Sequence, residues 1–424
     1  MSLSPEWKLV LSCARGTLLR SDGRAPVQGL PDEPIGWERV AAIACQNRVA
    51  PLVYPALRRR PLPSDAQPAL EVLNRVYVAT AARNAVLFGA LRTVLEALSA
   101  ARVAVIVLKG AALAETVYPE RALRPMADID LLIRKENLEE AERQLRSVGY
   151  EVAHDPETRE ELRSRHHHWV FQSARPDAGG IPIELHWSLD PPGGPVAWDV
   201  EALFERATPI SRAGAGALVL CPEDLLLHLC LHLCRHRFNG GVIALCDIAA
   251  AVARYEGPLD WAKVQALAVK CGASEYLFVP LQLAAELMGA DVPPSTLAGL
   301  RGSDGDDRML ELARERILEE KGDVRAAAEL RLRWRRRRVG GRLAAVQRAF
   351  LPETATNRHR DRPRGRGSRP RYLAHLAGLF CRYGPWLWAL ARHPRLVWAV
   401  VEREEGKPGL DAWCSASEPP GDPH

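Results

Sequence analysis

The sequence predicts an α+β fold, a small mixed β-sheet with helices packed on one side, and three observations lead there. Apolar runs of strand length occupy residues 103–108, 128–133 and 181–187, too short for ordinary helices. Segments with helical apolar spacing lie before, between and after them, which places helices beside a sheet rather than sheet on sheet. The glycine fingerprint GxGxxG is absent, so nothing calls for a doubly wound dinucleotide fold.

A chain of 424 residues exceeds one ordinary domain. Composition divides it into a helical region over 1–100, an α+β core over 101–200, a second helical region over 201–320 and an Arg-rich tail with apolar, Trp-containing helices over 321–424. An apolar fraction of 47% supports a sizeable core, and the net charge of +5 understates the basic residues crowded into the last hundred positions. Nine cysteines without a CxxC pair, and a start (MSLSPEWKLVLSCARG) without the apolar core of a signal peptide, predict reduced thiols in a cytoplasm.

In the first region, Gly and Pro punctuation between Arg20 and Pro34 predicts a surface loop. Ala79–Ala101 places Val86, Leu87, Leu91, Val94, Leu95 and Leu98 at helical spacing, so one apolar stripe should pack on the core.

The core reads as strand 103–108, helix 110–117, strand 128–133, helix 136–147, then strands 149–153, 168–172 and 181–187, with Gly149 stopping the second helix. Side chains alternate across a strand, so Asp128 and Asp130 should share one face while Ile129 and Leu131 point into the core. Two carboxylates side by side repel unless a cation sits between them. Hard oxygen ligands at that spacing suit Mg2+ or Mn2+, which are bound by one or two carboxylates together with substrate phosphates. Glu184 is the only acid in the later strand IPIELHW. His186, two residues on, should share its face.

Lys109-Gly110, then Asp128 and Asp130, then an acid on a later strand, is the order of the nucleotidyltransferase superfamily related to DNA polymerase beta. The phrases LKGAALAETVYP, LRPMADIDLLI, a helix ending at Ser147-Val148-Gly149-Tyr150, IELHW and PEDLLLHLCLHL resemble the uncharacterised nucleotidyltransferase family, also called NTP transferase family 5. The resemblance covers roughly residues 40 to 320, and the ordered set is far more specific than a lone DxD.

What the resemblance implies is transfer of a nucleoside monophosphate, or a related phospho-linked group, from a nucleoside triphosphate to an acceptor. Attack on the α-phosphate builds charge on attacking, leaving and non-bridging oxygens, which metals ~4 Å apart can stabilise. Asp128 and Asp130 would hold the metals, and Glu184 would complete the one that activates the acceptor hydroxyl or would take its proton. Gly110 would let the backbone approach the triphosphate, with N–H groups of the following helix facing it. Where the superfamily usually carries Gly-Ser or Gly-Gly, this chain has Gly110-Ala111, so backbone amides or Lys109 must replace a hydroxyl contact. Arg124, next to Pro125, either clamps phosphate or pairs with an acid. Relatives of the family occur near genes for modified peptides and other natural products, which implies a peptide or small-molecule acceptor.

Consecutive strand residues cannot all face one ion, so His166, His167 and His168 do not by themselves make a three-ligand zinc site; His168 or His166 instead faces the acceptor pocket. From Pro222 the chain turns helical. His228, His232 and His236 recur every four residues and form one stripe, with Cys230 and Cys234 on the next. That stripe lines a substrate cleft, serves the core or binds metal. His232 is the leading acceptor-side residue, and Asp247, opening another apolar helix, would fix a histidine tautomer. Helices continue over Trp261–Met288 and Met309–Leu318.

The tail carries LRLRWRRRRVGGR and RHRDRPRGRGSRPR, a cationic stretch from Arg331 to Arg371 suited to an anionic surface. Trp386, Trp388 and Trp398 lie in apolar pieces interrupted by Arg382, Arg392 and Pro394, which predicts interfacial or docking helices and no transmembrane span. A binding module acting through this tail on nucleic acid or a membrane surface, with weak or absent transfer, is the second function class.

Overall fold

The computed structural model describes residues 3–19, 33–153, 166–173, 181–192, 196, 198–210, 216–301 and 305–319. Ahead of the sheet stand α1 (Pro5–Leu18), α2 (Trp37–Gln46), α3 (Ala50–Leu57) and α4 (Gln67–Ala100). Ser4 caps α1 by accepting from the Trp7 amide, and Pro5, which lacks an N–H, occupies the first turn where none is needed. α4 runs for 34 residues, about 50 Å at 1.5 Å per residue. It starts three turns before the predicted Ala79, at a Pro-marked first turn. Leu87, Leu91, Val94, Leu95 and Leu98 form the expected buried stripe. Val86 does not belong to it: at 48% exposed it lies 100° round the helix from Leu87, beyond the stripe's edge.

The central elements are β1 (Ile106–Val107), α5 (Lys109–Thr116), β2 (Ile129–Leu132), α6 (Leu138–Ser147), β3 (Tyr150–Val152), β4 (His168–Ser173), β5 (Ile183–His186), α7 (Val200–Arg206), β6 (Thr208–Pro209) and β7 (Leu218–Val219). The strands form one mixed sheet in the order β3-β4-β5-β2-β1-β7-β6. β2 runs parallel to β5 and β1 parallel to β7, while the other neighbours are antiparallel. The predicted α+β class is what forms. The first strand is shorter than its apolar run because only Ile106 and Val107 find ladder partners, although Val103 and Val105 are also buried. α7, β6 and β7 were not predicted; runs of two to seven residues carry too little periodicity to be recognised.

Alternation divides the sheet into two different faces. Ile129, Leu131, Trp169, Phe171, Ile183 and Leu185 join the stripe of α4 and the apolar side of α6 in one core cluster. Ile106, Leu108 and Leu132 belong to a second cluster, shared with α1–α3 and the later helices α8 (Pro222–Arg235), α9 (Val242–Arg254), α10 (Trp261–Lys270) and α11 (Glu275–Met288). Helices therefore cover both faces, not one as predicted, because Leu132 and Ile106 on the second face also require burial. α12 (Pro294–Leu300) and α13 (Gly305–Leu318) close the described order. The helical stretch predicted over Trp261–Met288 divides at Gly272, whose φ of 71° ends α10. Asp247 does not open its helix; α9 starts at Val242 and Asp247 sits inside it.

Among the described residues no helix is long and apolar enough to cross a membrane, and their cysteines are free thiols. The Arg331–Arg371 run, the pieces bearing Trp386, Trp388 and Trp398, and most of the Arg20–Pro34 loop lie outside the described residues.

One buried amide ties the long helix to the segment leading into β2. The Asn84 side-chain nitrogen donates to the carbonyls of Arg121 at 2.6 Å and Arg124 at 2.9 Å. Asn84→Ala leaves these carbonyls without a donor and should lower unfolding free energy in urea by about 1–3 kcal/mol. Asn84→Asp, which sets a carboxylate against two carbonyl oxygens, should cost more. Equal stability of all three proteins would show that the tie contributes nothing.

Candidate active site

The parallel register of β2 and β5 sets Asp130 directly beside Glu184. His186 follows on the same face, and the antiparallel pairing of β4 with β5 brings His168 opposite His186. Four polar side chains thus share the second face of three adjacent strands. Lys109 reaches them from the junction of β1 and α5. Its ammonium lies 2.6 Å from Asp130 Oδ1 and 3.6 Å from Glu184 Oε2. His186 Nε2 lies 3.1 Å from the same Asp130 oxygen and 3.4 Å from Glu184 Oε2. Asp130 and His186 are buried, while Lys109, Asp128 and Glu184 are partly exposed.

Lys109 takes this position at a backbone cost. Its φ of 46° lies in the left-handed region, which costs a non-glycine residue about 1–3 kcal/mol unless its surroundings fix it. Here the Asp130 contact fixes it.

The charges are unequally matched. Burial would raise the Asp130 pKa, but Lys109 and His186 outweigh it and hold the carboxyl well below its usual range. Glu184 is lowered chiefly by its hydrogen bond with His186, against burial. Asp128 goes the other way: burial, then repulsion from Asp130 and Glu184, outweigh Lys109 and Arg48 and raise it. Lys109 is raised, since Asp130 and Glu184 overcome the effect of burial. Three carboxylates therefore face one resident ammonium, and Asp128, raised first by burial and then by its two acidic neighbours, is the least compensated of them. Ligand atoms of Asp130, Glu184 and His186 lie within 4.8 Å of one another. Hard oxygens with surplus negative charge fit a divalent cation such as Mg2+ or Mn2+. Asp128 adjoins this group without belonging to it.

The segment Arg121–Asp128 is held from several elements. Arg83 on α4 donates to the carbonyls of Met126 at 3.1 Å and Ala127 at 2.8 Å. Arg48, between α2 and α3, donates to Pro125 O at 3.1 Å. Arg124 forms a two-pronged pair with Asp247, both contacts at 2.7 Å, and also donates to Pro125 O. The Tyr118 hydroxyl donates to Asp247 at 2.6 Å. Arg124 thus pairs with an acid, the second of its two predicted roles. Asp247 does not orient a histidine, because Arg124 and Tyr118 take its oxygens. A Cβ on Gly110 would meet Met126 Cγ at 3.0 Å, so this glycine, which the sequence assigns to phosphate approach, is needed for packing within the chain. Gly110 and Ala111 are both buried in the first turn of α5.

The histidines converge more than the sequence suggested. His166 is exposed, but His167 lies in a bend before β4, where strand alternation does not apply. His167, His168 and His186 cluster in edge-on and tilted contacts with ring centroids 4.6–5.5 Å apart. Opposite them, His228, His232 and His236 form the predicted stripe on α8, with centroids 6.1 and 4.4 Å apart. Burial, then the charge of Lys109, lowers the pKa of both His228 and His232. Cys230 and Cys234 are buried in the core. Sequence reasoning missed Arg48, Arg83, Tyr118 and His167. Only Tyr118 left a signal, since a tyrosine in an apolar phrase must find its hydroxyl a partner once buried.

Two comparisons with known proteins found nothing: no curated protein and no solved structure matches the chain. A family model described as an uncharacterised nucleotidyltransferase matches residues 33–289, a span that contains every residue of the site described above.

Burial keeps several of these histidines neutral. It pushes His167 down to about 2, His168 to about 4 and His228 to about 3. A histidine whose folded pKa lies below its unfolded value stabilises the fold above about 6.5 and loses that contribution as pH falls. The unfolding free energy should therefore drop between pH 7 and pH 5, with His228 alone accounting for about 2 kcal/mol. His228→Asn should flatten the pH profile by that amount; an unaltered slope would mean that His228 titrates normally in the folded chain.

Proposed function

The chain belongs to the uncharacterised nucleotidyltransferase family and is a transferase of nucleotidyl groups; from that premise we propose how this site performs the transfer. A nucleoside monophosphate, or a related phospho-linked group, passes from a nucleoside triphosphate to a hydroxyl or phosphate of a peptide, natural-product or small-molecule acceptor. The observation that carries this reading is the register that sets Asp130 beside Glu184 with Lys109 Nζ between them.

Asp128, Asp130 and Glu184 would hold Mg2+ or Mn2+, which supplies neutralisation of phosphate charge and a more acidic acceptor hydroxyl. Glu184 serves as an oxygen ligand more readily than as a base, because a carboxylate with a lowered pKa holds protons weakly. Asp128, raised by its neighbours, gains most from an added positive charge. Lys109 neutralises Asp130 in this structure and would be free to turn to the triphosphate were a cation held by the carboxylates. The amides of Gly110 and Ala111 open α5 and add the positive end of a helix dipole. Arg124 acts indirectly: its pair with Asp247 positions the segment that delivers Asp128.

The acceptor lies between the sheet face and α8. Core chemistry is indifferent to what carries the hydroxyl, so selection falls to groups reaching the cleft from another side. His168 from β4 and His232 from α8 are those groups.

Calorimetric titration with each triphosphate and Mg2+ tests the metal roles. Asp128→Asn should weaken metal-dependent binding by roughly tenfold or more, whereas Glu184→Gln should bind nearly as well yet transfer at least about 100-fold more slowly. Equal loss of binding in both variants contradicts the assignment. Incubation with labelled triphosphates and a host extract identifies the acceptor for the transfer assay. With it, His232→Ala should leave nucleotide affinity nearly unchanged and slow transfer; a lower melting temperature with normal transfer would make His232 a core residue instead.

A further inference from the structure

Beside the carboxylates lies a second group of donors, whose metal-binding capacity the proposed transfer leaves unused although it places His168 beside the acceptor. One ring nitrogen from each of His167, His168 and His186 lies within 4.8 Å of the other two. The Nδ1 atoms of all three are buried and without a hydrogen-bond partner. His167 is 6% exposed and His186 3%, so bulk solvent does not reach them. An orphaned buried polar atom is costly, and three of them together call for a common explanation.

Asp130 supplies part of it. Its ionised carboxylate accepts from His186 Nε2 at 3.1 Å, so that nitrogen carries the proton and the lone pair lies on Nδ1. A carboxylate behind a histidine is the arrangement that orients an imidazole toward a metal and strengthens it as a ligand. Imidazole nitrogen is a poor donor for Mg2+ and a good one for borderline transition ions.

We infer that His167, His168 and His186 form a binding site for a borderline divalent transition ion, of which Zn2+ is the reference, separate from the hard-cation site at Asp128, Asp130 and Glu184. Zinc at about 2.0–2.1 Å from each nitrogen brings the three to ~3.4 Å apart, against a present separation of at most 4.8 Å, so the rings close by no more than about 1.4 Å. Three protein ligands leave a fourth position for water or an acceptor group, as in sites that exchange ligands rather than purely structural ones. Half-buried His168 gives that position access to solvent. His186 touches both groups, through Nε2 toward the acids and Nδ1 as the free donor.

The test uses the full chain and metals alone, so it does not depend on transferase activity. The protein is dialysed against micromolar Zn2+ with millimolar Mg2+ present, and bound zinc per chain is measured by elemental analysis. Wild type should retain one ion more than His167→Asn or His168→Asn, each of which should bind at least about tenfold more weakly, and zinc should raise the melting temperature of wild type only. Co2+ in place of Zn2+ should give the absorption of a nitrogen-ligated, low-coordinate ion in wild type and lose it in both variants. His236→Ala and Glu184→Gln should keep the zinc. Three outcomes overturn the inference: no zinc on wild type, full zinc on a folded His167→Asn and His168→Asn, or loss on His236→Ala, which would place the ion on α8. Failure of magnesium-dependent triphosphate binding with zinc retained would sink the proposed transfer mechanism and leave this site standing.

Discussion

An ammonium held between a buried and a partly exposed carboxylate is the constraint to which the rest of this structure answers. Taking Lys109 and Asp130 out of water costs several kcal/mol per ion before their attraction returns anything. The pair survives because three other features enforce it. β2 and β5 lock Asp130 beside Glu184, His186 shares the same oxygen, and the first turn of α5 holds Lys109 in a left-handed conformation. Each feature is of little use alone. A one-residue slip between β2 and β5 would send the acids into the apolar cluster on the other face, so hydrophobic patterning and active-site geometry are enforced by the same register.

The helical regions contribute in the same way from a greater distance. Asp128 lies just outside β2 and is not fixed by ladder hydrogen bonds. Its approach is set by Arg48, Arg83, Asn84 and the Arg124–Asp247 pair, which belong to the α2–α3 turn, to α4 and to α9. The chain thus spends charged side chains of its helices on backbone carbonyls, leaving the third carboxylate held by the frame rather than by the sheet. Gly110 completes that frame, because Met126 fills the volume that a side chain would need.

This division explains what the sequence revealed. Alternation within a strand is local, so the shared face of Glu184 and His186, and the inward aim of Ile129 and Leu131, were legible from spacing alone. Helical periodicity likewise placed the stripe of α4 and the histidines of α8. Pairings across more than a hundred positions carry no such period: Arg124 and Asp247 are 123 residues apart, and nothing near either one signals the other. His167 was misread for a related reason. The rule that consecutive residues face opposite ways holds inside a strand, and this residue stands one position before it. Strands of two residues, such as β1, β6 and β7, are defined by their neighbours and only become visible in the folded sheet.

The charge balance gives the histidines their part. His167, His168 and His228, held neutral by burial, add no charge to the face, whose balance lies between Asp128, Asp130 and Glu184 on one side and Lys109 on the other, with Arg48 also acting on Asp128. Lys109 is already the counterion of the site, so a divalent cation brought by a nucleotide would have to displace it. On the proposed reading, binding would be an exchange in which the ammonium leaves Asp130 for the phosphates and the carboxylates hold the cation. Such an exchange would reduce the surplus negative charge of the face, because a divalent cation brings one more positive charge than the ammonium it displaces. It also explains why a lysine, a compact charge on a flexible stem, stands there rather than an arginine, whose planar fork is suited to a fixed partner such as the one Arg124 keeps in Asp247.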